Sequence, residues 1–386
     1  MPVPSHGLVL GIDASNIRSG GGLTHLAQVL GASAPHESGF RRVVVWADAH
    51  TLAALPEAEW LVKAHEPALG RSSTGRALWR ETQLPRRLRD AGAHVLLAPG
   101  GTLPRRLACP AVTMSQNLLP FDRREAARMG LATSLFRHRI LRWLQGASFL
   151  RASGVIFLTH YARRFVAQQL EGPLPPVTVI PHGVEARFRR EPAEQRPIAA
   201  YSPEKPFRFL YVSVVHLYKH QWHVAEAVGR LRAEGLPVAV DFVGPAWRPA
   251  LHKLQRTINA WDPERRYIRY RGPVPFDQLH TCYHGADAFI FASTCENMPN
   301  ILLEAQAAGL PIACSNKEPM LGMLGDGGAY FDPEDPESVE HALLWLLADP
   351  GRRLRCARIA HHRAQVYSWP RCARETLNFV ASVAAA

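Results

Sequence analysis

Residues 285–315 read GADAFIFASTCENMPNILLEAQAAGLPIACS. AFIFAS (288–293) is an apolar run bounded by polar residues, short enough for a buried strand. The turn that follows holds Glu296, Asn297, Met298, Pro299, Asn300 and Ile301. Leu302, Glu304 and Ala305 then fall in a helix, and PIACS (311–315) is a second buried strand. Strand, turn, helix and strand in this order predict a parallel α/β sheet, whose ligands bind beyond the carboxyl ends of the strands. A helix starting there presents unpaired backbone N–H groups and a positive dipole end, suited to a diphosphate. Glu304 suits a ribose diol, because a carboxylate accepts from two hydroxyls. Glu296, in the turn, is placed to meet a transferred group. On spacing alone the bland alternative is stronger: Glu296 as an acid at a helix start and Glu304 as a solvated helix residue.

The same alternation runs outward in both directions. LVLGID (8–13), VVVWAD (43–48), HVLLAP (94–99), AVTMSQ (111–116), GVIFLT (154–159) and VTVIPH (177–182) are strand candidates. FRFLYVSVV (207–215), AVDFVG (239–244) and YIRYRG (267–272) continue the series, with helices at 222–235 and 338–349. Residues 185–206, EARFRREPAEQRPIAAYSPEKP, break it with proline and charge and read as a linker. The chain of 386 residues is therefore read as two doubly wound α/β domains facing across a cleft: 1–190, a linker at 191–206, and 207–365, with 366–386 returning to the first domain.

The 285–315 run resembles the E-x7-E signature of the retaining glycosyltransferase family 4, which has the two-domain GT-B fold. Other stretches resemble the same family: VTVIPHGVEARF (177–188), RGPVPFDQLHTCYHGADAFIFAS (271–293), GDGGAYFDPEDPESVEHALLWLLADP (325–350) and YSWPRCARETL (367–377). The resemblance implies that Glu296 lies by the donor sugar and Glu304 binds the nucleotide ribose. It also implies a lysine–arginine pair on the donor diphosphate. In YVSVVHLYKHQW (211–222), Lys219 holds the lysine position, whereas Val214 and Ser213 stand where the family has arginine and glycine. His216, His220 and Arg271 are the basic groups left to substitute, and the sequence does not choose among them. The donor-binding set implied by the family is Gly21, Gly22, Ser213, Lys219, Gly244, Val274, Glu296 to Ile301, and Glu304; Glu296 and Lys219 are the catalytic candidates.

IDASNIRSGGGLTHLAQVL (12–30) places glycines between a strand and a helix predicted from about Thr24 to Leu30. Glycines at such an entrance let a ligand approach backbone closely. His25 stands where a dinucleotide fingerprint needs its third glycine, and Asp48 is the one feature favouring a nicotinamide enzyme. The alternative is a merely tight βα turn. Arg18, in the same loop, is a candidate for an acidic acceptor. MSQNLLPFD (114–122) resembles the family's H-D-x-x-P stretch with Gln116 and Asn117 in place of the histidine and aspartate. No acceptor-site base is evident, and Asn117 is a candidate to position the acceptor.

The net charge is +12. Residues 1–190 carry 24 basic and 12 acidic side chains, and the remainder carries 21 of each, so the whole excess lies in the first half. That half is expected to face an anionic partner. In SLFRHRILRWLQGASFLR (134–151), Phe136, Ile140, Trp143, Leu144, Ala147 and Leu150 fall on one helical face. The stripe is read as core-facing; the alternative is a face laid on an anionic leaflet, with Arg123, Arg124, Arg128 and Arg139 flanking it.

No apolar stretch approaches the ~20 residues of a membrane span. The start, MPVPSHGLVLGID, lacks the pattern of a secretory signal. The six cysteines form no C-x-x-C pair. The expected location is cytoplasmic, or peripheral on the cytoplasmic face of the inner membrane. The expected partners are a nucleotide-sugar donor, a glycan or lipid-linked glycan acceptor and an anionic membrane surface, with no nucleic acid. No D-x-D triplet occurs, so neither a metal nor a cofactor is expected.

Overall fold

A computed structural model of the chain describes residues 7–18, 20–70, 72–128 and 132–386. The first six residues, part of the stretch read as lacking a secretory signal, lie outside the described residues. The chain divides into two compact units. One comprises most of the chain up to Gly183 together with Tyr367–Ala386, and the other comprises Val184–Val366 with Ala127 and Arg128.

In the first unit the elements are β1 (Leu8–Asp13), α1 (Gly20–Gly31), β2 (Phe40–Ala47), α2 (Ala49–Ala53), β3 (Leu61–His65), α3 (Ser73–Thr82), α4 (Leu84–Asp90) and β4 (Val95–Ala98). They continue with β5 (Ala111–Ser115), α5 (Arg123–Arg128), α6 (Ala132–Arg151), β6 (Gly154–Phe157), α7 (His160–Ala167) and β7 (Val177–Val179). The strands form a seven-stranded parallel sheet in the order β3-β2-β1-β4-β5-β6-β7. The central strands β1, β4, β5 and β6 are buried along their whole length. This burial on both faces is why they read as continuous apolar runs rather than alternating ones.

The second unit holds β8 (Phe207–Val212), α8 (Gln221–Ala233), β9 (Val238–Val243), α9 (Arg248–Trp261), β10 (Ile268–Gly272), α10 (Leu279–His284), β11 (Ala288–Phe291) and α11 (Asn300–Ala307). It ends with β12 (Ile312–Ser315), α12 (Met320–Leu324), β13 (Gly328–Phe331), α13 (Pro336–Ala348) and α14 (Pro350–Ala364). Its sheet is six-stranded and parallel, in the order β10-β9-β8-β11-β12-β13. In both sheets the strand order reverses direction once, between β1 and β4 and between β8 and β11. The loops leaving those strands therefore diverge and open a crevice.

The segment read as a linker lies against the second unit. The guanidinium of Arg353, fully buried, donates to Gln195 Oε1 at 3.1 Å and to the Arg196 carbonyl. It also donates to the carbonyls of Leu346 and Leu347, both at 2.9 Å, which satisfies a charge that burial would otherwise make costly. Arg190 N–H donates to the Ala307 carbonyl at 2.9 Å. The crossing into the second unit thus falls at Gly183–Val184, ahead of the expected boundary at 190.

The last helix, α15 (Trp369–Ala385), belongs to the first unit. Trp369, Cys372, Leu377 and Val380 are buried there, and the Trp369 ring lies 5.8 Å from the rings of both His25 and His182. Those two histidines meet Nδ1 to Nδ1 at 2.9 Å. Burial holds the His25 imidazole down to about 4, and burial followed by the charge of His25 holds His182 well below its ordinary value.

The stripe on α6 is not core over its first half, and Leu144, Ala147 and Leu150 in its second half are half-buried. Phe136, Ile140 and Trp143 are 66%, 42% and 64% exposed. The inward side of the helix runs instead through Gln145, Ser148 and Phe149. Ser148 can sit there because its hydroxyl is satisfied twice, donating to the Leu144 carbonyl at 2.7 Å and accepting from Leu103 N–H at 2.9 Å. The helix α1 starts at Gly20, ahead of the expected Thr24, so the glycines form its first turn.

Candidate active site

Two loops leave the second sheet at its reversal point. One follows β8 and carries Ser213 to His220; the other follows β11 and carries Ser293 to Pro299. Hydrogen bonds stitch them together. Thr294 N–H donates to the Tyr218 carbonyl at 2.9 Å. The Tyr211 hydroxyl accepts from Ala292 N–H at 3.1 Å and donates to the Lys219 carbonyl at 2.5 Å. One buried hydroxyl on β8 thereby holds the backbone of Lys219 against the end of β11.

The stitching brings the Lys219 ammonium onto Glu296 Oε1 in a close ion pair. Only 6% of the lysine side chain and 13% of the glutamate side chain are exposed. The ammonium also lies over the Phe291 and Tyr218 rings, at 4.7 and 5.2 Å from their centroids. Ser293 Oγ donates to the same Glu296 oxygen at 2.5 Å. His220, immediately after the lysine, takes the left-handed conformation with φ 47°. A residue with a Cβ pays roughly 1–2 kcal/mol for that. The turn it makes starts α8 and fixes the direction in which Lys219 leaves the loop.

Glu304 lies on α11, one turn in, and is buried. It accepts from the Tyr283 hydroxyl at 2.8 Å. Burial pushes its carboxyl up to about 7, and the Tyr283 hydrogen bond opposes that rise only in part. The bland reading of Glu304 as a solvated residue is therefore excluded. Met298 and Pro299 are buried before the helix, and the amides of Asn300 and Ile301 stand in its first turn without intrahelical acceptors. Asn297 is buried in the same turn.

Ser213 and Gly244 meet backbone to backbone. A Cβ on Gly244, whose φ is 138°, would lie 2.2 Å from the Ser213 carbonyl oxygen, so only glycine fits. The Ser213 hydroxyl donates to the Val214 carbonyl at 2.7 Å. Gln221 Nε2 donates to that carbonyl at 3.0 Å. Val274 lies in the loop after β10, half-buried.

The candidates of the first unit form a separate group. A Cβ on Gly21 would meet open space, and one on Gly22 would lie 3.3 Å from Gln116 Oε1. The glycine turn and the 114–122 segment are thus neighbours at the carboxyl ends of β1 and β5. Arg18 pairs with Asp48 at 3.2 Å, and Asp48 caps α2 by accepting from Thr51 N–H at 2.8 Å. Asp48 is therefore occupied as a helix cap and as an ion-pair partner, which leaves no support for ribose recognition by a nicotinamide enzyme. Arg18 is half-exposed and tied to that carboxylate. The Asn117 side chain is exposed and accepts from Leu119 N–H at 3.0 Å, closing its own turn. Among the described residues, no group of three or more His, Cys, Asp or Glu side chains is arranged to hold a metal ion.

Sequence reasoning did not find Tyr211, Tyr283, Ser293 or Tyr218. Each reads as an ordinary strand, helix or turn residue; Tyr211, Tyr218 and Tyr283 gain their parts through partners distant in sequence, and Ser293 through Glu296 three residues on.

Residues 194–363, all within the second unit, match the family model described as glycosyl transferases group 1. O-antigen chain mannosyltransferase B of Escherichia coli is 34% identical over 113 residues, 29% of each chain. The aligned stretches span 29%, 28% and 23% of the first three curated relatives, less than a third of their length. The crystal structure of WaaG, a glycosyltransferase involved in lipopolysaccharide biosynthesis, superposes with a TM-score of 0.72 at 15% identity, covering 97% of this chain and 99% of that one. Anabaena HepE in complex with UDP-glucose superposes with a TM-score of 0.71 at 17% identity, covering 98% of both. The fold is GT-B, as expected from the sequence.

Proposed function

We propose that the chain is a retaining glycosyltransferase that moves a hexosyl group from a nucleoside diphosphate sugar to a lipid-linked glycan acceptor in cell-surface polysaccharide synthesis. The observation that carries this reading is the nearly buried Lys219–Glu296 pair at the reversal point of the second sheet, with Glu304 buried on the helix that starts just beyond it. Glu304 takes the ribose diol, Lys219 and the first amides of α11 take the diphosphate, and Glu296 takes the sugar hydroxyls. In the free protein Lys219 and Glu296 satisfy each other. An incoming diphosphate gives Lys219 a second anion and leaves Glu296 lone pairs for the sugar.

The chemistry is a front-face displacement. The bond from C1 of the sugar to the diphosphate oxygen breaks as the acceptor oxygen bonds to C1 on the same face. The departing diphosphate takes the acceptor proton. No strong protein base is needed, and the protein's contribution is to position the reactants and stabilise charge on the leaving group. The scheme is metal-independent.

The acceptor is lipid-linked in this reading because α6 presents a membrane-docking face. Phe136, Ile140 and Trp143 stand exposed beside Arg137 and Arg139, also exposed. Apolar groups beside cations suit an anionic leaflet. No helix of the described residues is long and apolar enough to cross a membrane. The relative and the structural neighbour named for O-antigen and lipopolysaccharide synthesis support the same pathway class.

The test is a panel of UDP-, GDP- and dTDP-sugars in excess EDTA, with and without a detergent-solubilised lipid diphosphate acceptor. Transfer with retained anomeric configuration is expected. A strict Mg²⁺ requirement would overturn the metal-free scheme. Transfer to soluble acceptors alone would replace the lipid-linked reading, and neither hydrolysis nor transfer of any donor would leave a non-catalytic binding protein.

A further inference from the structure

A diphosphate carries about two negative charges, and Lys219 of the candidate site is already matched by Glu296. The family's second cation is missing at Val214. Three basic groups remained as substitutes, and their positions separate them.

Arg271 is turned onto the carboxylate of Asp241, 3.4 Å away, and lines a cavity of about 190 Å³ with Arg208, Thr281 and Cys282. His220 is 1% exposed, with its Nε2 3.4 Å from Thr294 Oγ1 and its ring 5.4 Å from those of Trp222 and His223. His216 is different. It sits just beyond β8, at the carboxyl end of the sheet, and is half-buried. The neighbouring residue Val215 pairs with the β9 loop, donating to the Pro245 carbonyl at 2.8 Å and accepting from Trp247 N–H at 3.0 Å. That pairing brings the Trp247 indole flat against the His216 imidazole, 5.0 Å between centroids at 21°. The imidazole also lies 4.7 Å from the Tyr218 ring, the same ring that lies 5.2 Å from the Lys219 ammonium. Imidazole and ammonium thus flank one tyrosine ring.

We propose that His216, held by Trp247, is the second side-chain ligand of the donor diphosphate, taking the place that arginine has in relatives. The assignment rests on the reading of this site as a nucleotide-sugar site. An imidazole N–H directed at a phosphate oxygen makes a charge-assisted hydrogen bond. Position 216 can supply it without a long side chain at position 214, where the backbone carbonyl already accepts from Ser213 and Gln221.

The test is calorimetric titration of the full chain with UDP, GDP, UMP and GMP, for the parent and for His216→Ala, His216→Gln and His216→Arg. For whichever base binds, His216→Ala is expected to weaken the diphosphate about tenfold, the worth of one charge-assisted hydrogen bond. The monophosphate is expected to change less than about twofold, because a lost β-phosphate contact cannot affect it. His216→Arg is expected to restore diphosphate affinity and His216→Gln to restore it in part. If the parent binds a diphosphate and His216→Ala binds it equally well, the assignment of His216 fails while the donor-site reading stands. An equal loss for mono- and diphosphate, unrepaired by arginine, assigns His216 to loop structure and also overturns the proposal. If the parent binds none of the four, the donor-site reading itself falls, and the assignment with it.

Discussion

The Tyr283 hydroxyl donates to the Glu304 carboxyl at 2.8 Å inside a buried pocket of the second unit, and the carboxyl is pushed up to about 7 by burial. The free protein therefore holds near neutrality a group that ribose recognition needs as an acceptor. An acid whose folded value is raised binds its proton more tightly in the folded state. Its favourable contribution is full below the ordinary 4.5 and is lost as pH climbs through about 7. Glu304→Gln should remove that loss, making the variant more stable relative to the parent at pH 8 than at pH 4.5. The difference is on the order of 3 kcal/mol, read from urea unfolding at the two pH values. In the parent, nucleotide affinity should rise between pH 6 and 8, and Glu304→Gln should flatten that rise. A parent whose stability is level between pH 4.5 and 8 relative to Glu304→Gln would contradict the buried acid.

The Lys219–Glu296 pair sets a second expectation. Lys219→Met leaves a nearly buried carboxylate without its cation, though Ser293 still donates to it, at a cost of about 3 kcal/mol. Glu296→Gln alone should cost less, since Ser293 can still donate. The double variant should be more stable than Lys219→Met. All three should lose roughly 100-fold or more in kcat. Thermal unfolding and turnover on the best donor check both parts, and additive stability losses would count against a coupled pair.

Membrane docking by α6 is tested by flotation with phosphatidylglycerol-containing vesicles. Phe136→Ser combined with Trp143→Ser should reduce the bound fraction without lowering the unfolding temperature, because both side chains are exposed. Arg137→Glu with Arg139→Glu should weaken binding further in low salt, at about 1 kcal/mol per basic group removed. Binding by the parent that ignores all four changes would locate the docking surface elsewhere.

Gly183 has no room for a side chain. A Cβ there would lie 2.2 Å from the Trp369 backbone nitrogen, where no flexible group can yield. Gly183→Ala should destabilise the first unit by about 3 kcal/mol, with near-ultraviolet dichroism of Trp369 as the local readout. A variant as stable as the parent would mean that α15 does not dock as described.

The doubly wound fold was legible because the buried strands are uninterrupted apolar runs. β3 and β13 escaped notice: LVKAH mixes a lysine and a histidine into an edge strand, and GAYF is four residues starting with glycine. Glu296, Glu304 and Lys219 were legible as candidates from the resemblance, because they lie in contiguous motifs. What holds them was not. Tyr211 and Tyr283 act across gaps in sequence that only the folded chain closes. The α6 stripe shows a related limit. Periodicity located the helix, but the same period fits an apolar face turned inward or outward, and the choice depended on Ser148 having partners on the inner side.

The docking of α15 on the first unit bears on how the chain is made. Val184–Val366 is continuous and can acquire its core as soon as it has emerged from the ribosome. The first unit is synthesised earlier but is closed later, because the apolar surface that receives Trp369, Leu377 and Val380 stays uncovered until the last helix arrives. The order of synthesis and the order of completion are therefore reversed. A nascent chain stalled within the second unit would display an unfinished first unit, and that exposed seam is where a chaperone would be needed.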